Sequence, residues 1–90
     1  MANWKFKIDV SEIWQKYEDD NDFESFISEL IPALKAKQDE VTEKVDEDEA
    51  MDYEDMLNDL EGTTDEDEFD FVWQQLYDWA DFNKVWIATF

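Results

Sequence analysis

Two runs of four consecutive carboxylates, Asp46-Glu47-Asp48-Glu49 and Asp65-Glu66-Asp67-Glu68, carry the most evident chemical capacity in the chain. Closely spaced carboxylates can hold a hard cation, work as an acid–base pair, or accept charge-assisted hydrogen bonds from a cationic partner. Each use leaves its own pattern. A calcium loop of the EF-hand type needs oxygen ligands at positions one, three and five, Gly at six and a bidentate Glu at twelve. Starting at Asp20 puts Ser25 at the glycine position and Ile31 at the twelfth, whereas starting at Glu18 recovers Glu29 but places Phe23 at the sharp turn. Loops opening at Asp46 or Asp65 place Ala50 or Phe69 at the fifth position. The chain has neither Cys nor His, which removes thiolate and imidazole ligands as well. No metal site is expected.

Catalysis fits no better. A glycosidase needs two carboxyl groups roughly 5 to 10 Å apart across a substrate cleft. With 27 acidic residues close pairs arise by chance, and a helical domain of 90 residues has little room for a deep cleft. Ser11, Ser25 and Ser28 have no His to serve as base. The sequence therefore predicts a protein that is not an enzyme, with no catalytic residues and no cofactor.

The third use remains. Twenty-seven acids against seven Lys and no Arg give a net charge of -20, which disfavours direct binding to nucleic acid or to an anionic membrane. A magnitude of about 2 to 8 suffices for solubility in a small domain, and the excess costs stability through self-repulsion. Between Asp39 and Glu61 stand 12 acids and one Lys. On a single helix rising 1.5 Å per residue that run would spread over roughly 35 Å, about one charge per 3 Å, close to the 3.4 Å phosphate rise of one DNA strand. The expected partner-binding face comprises Asp46, Glu47, Asp48, Glu49, Asp52, Glu54, Asp55, Asp59, Asp65, Glu66, Asp67 and Glu68. The function this predicts is that of an acidic DNA mimic, occupying the basic groove of a nucleic-acid-binding protein and inhibiting it competitively. The alternative is an acidic interaction module that binds a basic partner surface without mimicking DNA. The bland alternative is a solvated face that only confers solubility.

These carboxylates need a scaffold, and five Trp, seven Phe and three Tyr supply the apolar mass for one. Trp4, Phe6, Ile8 and Val10 alternate with polar residues as in a half-buried strand. Ser11 is the expected N-cap of a short helix carrying Ile13 and Tyr17. Phe23, Phe26, Ile27, Leu30, Ile31, Leu34, Val41 and Val45 follow helical spacing, with Pro32 predicting a kink or, less favoured, a division into two helices starting near the proline. Ala50, Tyr53, Met56, Leu57 and Leu60 mark a further helix stopped by Gly62. Thr64 and Asp67 then form a capping arrangement before Phe69, Val72, Trp73, Leu76, Tyr77 and Ala80. The β-branched and aromatic ending from Lys84 to Phe90 is a second strand.

The expected fold is a single α+β domain over residues 1–90, mainly helical, with about four helices. Its N- and C-terminal strands are expected to pair as an antiparallel two-stranded ribbon packed on the helices. Trp73, Trp79 and Trp86 are expected in the core, with Trp4 packing across from the C-terminal strand. Val85 and Ile87 form one face of that strand and Trp86, Ala88 and Phe90 the other, so one face is free to bury a partner or a second copy in a homodimer. No stretch approaches the roughly 20 apolar residues of a membrane span, and the first ten residues lack a secretory apolar core. A soluble, cytoplasmic protein is expected.

The stretch "YDWADFNKVWIATF" resembles the ending of small, uncharacterised acidic bacteriophage proteins, in which Tyr-Asp-Trp-Ala-Asp precedes a Val-Trp-Ile strand. The likeness covers about 14 of the 90 residues and contains no catalytic motif. It implies a phage setting, and with it the host cytoplasm, and transfers no residue's role.

Overall fold

In the computed structural model, which describes residues 4–89, the order is β1 (Phe6–Asp9), α1 (Ser11–Asp20), α2 (Phe23–Lys35), α3 (Gln38–Lys44), α4 (Glu47–Glu61), α5 (Glu66–Phe82) and β2 (Val85–Ala88). The apolar stripes anticipated from spacing are the faces that pack. Phe26, Leu30, Ile31 and Leu34 of α2 are buried, as are Ala50, Tyr53, Met56, Leu57 and Leu60 of α4 and Phe69, Leu76, Trp79 and Ala80 of α5. Ile8 and Val10 from the N-terminal side and Val85 and Ile87 from β2 complete the same core. Beside it lies a second layer of rings in which Trp14 meets Phe26 edge-on at 4.9 Å and Trp73 at 4.7 Å, while Tyr17 stacks on Phe26 at 4.5 Å. Such pairs add specificity to area burial.

The strands pair parallel, which corrects the expected antiparallel ribbon. Phe6 faces Val85 and Asp9 faces Ala88 in register. Period-two alternation reports which residues are buried and carries no strand direction. Direction is set by the turn after α5, where Lys84 adopts a left-handed φ of 60° and its carbonyl accepts the Lys5 N–H at 2.6 Å. The chain thus enters β2 beside the start of β1, and Val10 N–H closes the far end by donating to the Ala88 carbonyl at 2.9 Å. A parallel pair requires a long crossover, which the five intervening helices provide.

There are five helices where about four were expected, because the run from Phe23 to Val45 divides. The break lies after Pro32, at Ala36 and Lys37, neither as a kinked continuous helix nor with the proline opening a second one. Pro32 cannot donate to the Ser28 carbonyl, but its own carbonyl still accepts the Ala36 N–H at 2.9 Å, so the helix runs on to Lys35. The Leu34 carbonyl is then taken by Lys37 N–H at 3.1 Å and by the buried Tyr53 hydroxyl at 2.6 Å, which ends the ladder. Two caps move by one residue. Ser11 opens α1 from within, its hydroxyl donating to Asp9 at 2.6 Å, and Asp65 rather than Thr64 caps α5 by accepting the Glu68 N–H at 2.8 Å.

Candidate functional site: an acidic helical hairpin

Helices α4 and α5 form an antiparallel hairpin closed by residues 62–65. Its open end is fastened by polar contacts to Glu49. The Trp79 indole N–H donates to the Glu49 carbonyl at 2.9 Å, and the buried Asn83 amide donates to the Glu49 carboxylate at 2.9 Å. The Tyr53 and Trp79 rings pack at 5.1 Å between the two helices. Position along this fastened pair therefore translates directly into position on the surface.

Between Val45 and Asn83 stand 16 of the 27 acids and none of the seven lysines. The supposed single helix from Asp39 to Glu61 is interrupted at Val45, which turns extended and buries its side chain, so the continuous 35 Å string is not formed. Helix α4 alone nevertheless carries eight carboxylates in 15 residues. At 1.5 Å per residue that is about one charge per 3 Å, so the axial density survives the break.

The geometry sorts the twelve anticipated residues. Asp48, Asp52, Asp55 and Asp59 recur at intervals of four, three and four, opposite the buried stripe of α4, and all are exposed. They form one ridge. Asp46 precedes α4 as its N-cap residue, Glu47 lies in the first turn and Glu54 lies off the ridge; all three are exposed. Glu49 is half-buried and engaged by Asn83, so it serves the hairpin's closure rather than its outer face. On α5, Asp65 is occupied as the cap, and Asp67 is exposed on the outer face. Glu68 accepts the Thr64 hydroxyl at 3.3 Å. Glu66 accepts the Tyr17 hydroxyl, and that hydrogen bond, with burial and the nearby Glu66 and Asp70 charges, pushes the Tyr17 phenol up to about 12.

Sequence reasoning missed a second ridge. Asp67, Asp70, Asp78 and Asp81 lie opposite the buried stripe of α5 and are exposed, with Gln74 filling the interval and donating to Asp78 at 3.2 Å. The spacing carries the ridge, since these positions complement Phe69, Leu76 and Ala80, but the acids are thinned there by Gln and aromatic residues. Also unanticipated are large apolar side chains on the hairpin surface, Met51 at 58% exposure, Phe71 at 69% and Phe82 at 77%. Trp86, expected in the core, is 46% exposed and meets Trp4 edge-on at 5.2 Å; Val85 and Ile87 turn to the core on the other face, and on Trp86's own face the small Ala88 is buried. Trp79 is buried and Trp73 half-buried. Phe90, assigned to the Trp86 face, lies outside the described residues.

Of four ion pairs among the described residues, one touches the hairpin, Lys35 to Glu61 at 2.9 Å. No group of three or more carboxylates converges there in a metal-holding arrangement. No helix among the described residues is long and apolar enough to cross a membrane. Comparison with family models, with curated proteins and with solved structures finds no match.

Proposed function

We propose that the protein is an acidic DNA mimic that occupies the basic groove of a nucleic-acid-binding protein and inhibits it competitively. The observation that carries this reading is the pair of exposed carboxylate ridges, Asp48-Asp52-Asp55-Asp59 and Asp67-Asp70-Asp78-Asp81, running along adjacent helices with no lysine between Val45 and Asn83. The two lines stand on helices fastened to each other through Glu49, so they are held as one acidic surface. A cationic groove would exchange its counterions for these carboxylates as it does for phosphates, which makes the association steeply salt-dependent. The fixed hairpin matters because a preformed display loses little conformational freedom on binding. If the chain is phage-encoded, its target is a DNA-binding protein of the host cytoplasm.

The test is capture from a bacterial lysate on the immobilised protein at low salt, followed by elution with duplex DNA. A captured DNA-binding protein released by the duplex, and shown in a gel-shift assay to lose its DNA on adding this protein, supports mimicry. A captured partner that keeps its DNA while bound supports the interaction-module reading instead. Capture that is unchanged when Asp52, Asp55, Asp67 and Asp78 are all made Asn removes the ridges from either reading.

A further inference from the structure

A surface hollow lies between α2 and the loop that closes the hairpin. It has a volume of about 670 Å³, with Phe23, Ile27, Ile31 and Pro32 along one wall and Glu24 and Glu61 on the rim. Phe23 and Ile27, both half-buried, stand four residues apart on α2, about 6 Å along its axis, with the exposed Pro32 beyond them, while Ile31 shows only its edge. At Thr63 this hollow meets a second one of about 520 Å³, where Phe71 and Val72 are bordered by Asp59, Asp67 and Glu68. Flanking Thr63 on its two sides, the hollows make an apolar-floored trough divided at that residue, with five carboxylates on its borders and one cation, Lys35, itself paired with Glu61 at 2.9 Å.

We propose that this trough takes an amphipathic cationic helix of the protein's basic partner. Its apolar side chains would seat on Phe23, Ile27 and Pro32, and its Lys or Arg residues would meet Glu24, Glu61, Asp59 and Asp67. The inference rests on the reading that the protein binds a basic partner, and adds that the partner offers a helix to the trough as well as a cationic groove to the ridges. Charge chooses the occupant: an anionic ligand meets the acidic border, and a second copy brings another -20 against it. A helix with apolar residues at i and i+4 matches the spacing of Phe23 and Ile27, which is how grooves of this kind select helical peptides. Duplex DNA has no such feature, so the trough would add affinity for the target beyond that of the ridges, and release by duplex would need a higher DNA concentration.

Two synthetic peptides of about 15 residues and equal positive charge test this by fluorescence anisotropy, one of Leu and Lys with Leu every fourth residue, the other of Lys and Ser. The Leu/Lys peptide is expected to bind at least about tenfold tighter, and the gap to persist at about 0.5 M salt, where the purely ionic peptide is released. Ser28→Trp, at an exposed rim position that fills the trough without entering the core, should abolish the gap while leaving Lys/Ser binding unchanged. Ile27→Ser should act in the same direction if it folds. Lys35→Ala, which frees Glu61, should tighten the Leu/Lys peptide about twofold or more. Equal affinity of the two peptides, or a gap indifferent to Ser28→Trp, overturns the trough while leaving the ridge reading standing. Binding of neither peptide overturns both. A concentration-dependent dimer of the protein alone that Ser28→Trp dissociates would assign the trough to a second copy and overturn the proposal.

Discussion

Neutralising Asp52 and Asp55 together should make the protein more stable. On α4 these two residues take part in four like-charge pairs at i,i+3 or i,i+4, namely Asp48 with Asp52, Glu49 with Asp52, Asp52 with Asp55, and Asp55 with Asp59. Each such pair costs about 0.2 to 0.5 kcal/mol on a helix surface, so removing all four returns about 1 to 2 kcal/mol. Asn and Asp have nearly equal helix propensity, and neither position lies in the first turn, where a carboxylate would favour the helix dipole. No hydrogen bond or ion pair involving either carboxylate occurs among the described residues, so nothing offsets the gain. For a domain of this size about 1 kcal/mol moves Tm by roughly 4 to 8 °C. Thermal melts of Asp52→Asn/Asp55→Asn followed by circular dichroism should therefore rise by about 5 to 15 °C near 10 mM salt, where charges interact over about 30 Å. Near 1 M salt the screening length falls to about 3 Å and most of the gain should vanish. A variant no more stable than the wild type at low salt, or one whose advantage is undiminished at high salt, refutes the view that the ridge is held together against its own repulsion.

Three further outcomes follow from the geometry. Tyr53→Phe removes the buried hydroxyl from the Leu34 carbonyl and should cost about 1 kcal/mol in urea unfolding, since that carbonyl keeps its Lys37 partner; a neutral result would show that the α2 terminus does not depend on it. Gly62→Ala should be neutral or stabilising by about 0.5 kcal/mol, because Gly62 has an ordinary φ of -83° and an added Cβ meets nothing closer than 3.6 Å; marked destabilisation in the same assay would contradict it. Tyr17 is held up to about 12 by the Glu66 hydrogen bond, and burial raises Tyr53 as well, so both phenols bind protons more tightly folded than unfolded. Their contribution is fully present below about pH 10 and is lost as pH rises through the folded values, so urea midpoints should fall only above about pH 10. Absorbance titration showing both phenols ionising near 10 would undo that account.

The sequence patterns carried the helices well where a single apolar stripe decides the matter, as for Ala50-Tyr53-Met56-Leu57-Leu60. They failed where a distant residue intervenes. The end of α2 depends on a hydroxyl 19 positions away, from Tyr53, and no local propensity encodes it. The strand direction likewise depends on where α5 delivers Lys84, since Phe6, Ile8, Val85 and Ile87 alternate identically in either sense. Among the carboxylates, the sequence shows the dense acids of α4 but not which of them share the face of Asp48, Asp52, Asp55 and Asp59; on α5 the ridge of Asp67, Asp70, Asp78 and Asp81 is diluted by Gln and aromatic residues. The trough could not be read at all, since it is made where Ile27 and Ile31 pass Thr63, and those two segments are more than 30 residues apart.

The parallel pairing of β1 and β2 has a mechanical consequence. Tension applied from the N-terminal side of Phe6 and the C-terminal side of Ala88 would reach the ladder from opposite ends and load it in shear, so its hydrogen bonds resist together. In an antiparallel ribbon the same pull would enter at one end and peel the bonds singly. Two four-residue strands thus act as a clasp on a stack of helices, and stretching the molecule by its ends should meet its main resistance at that clasp before the acidic hairpin is disturbed.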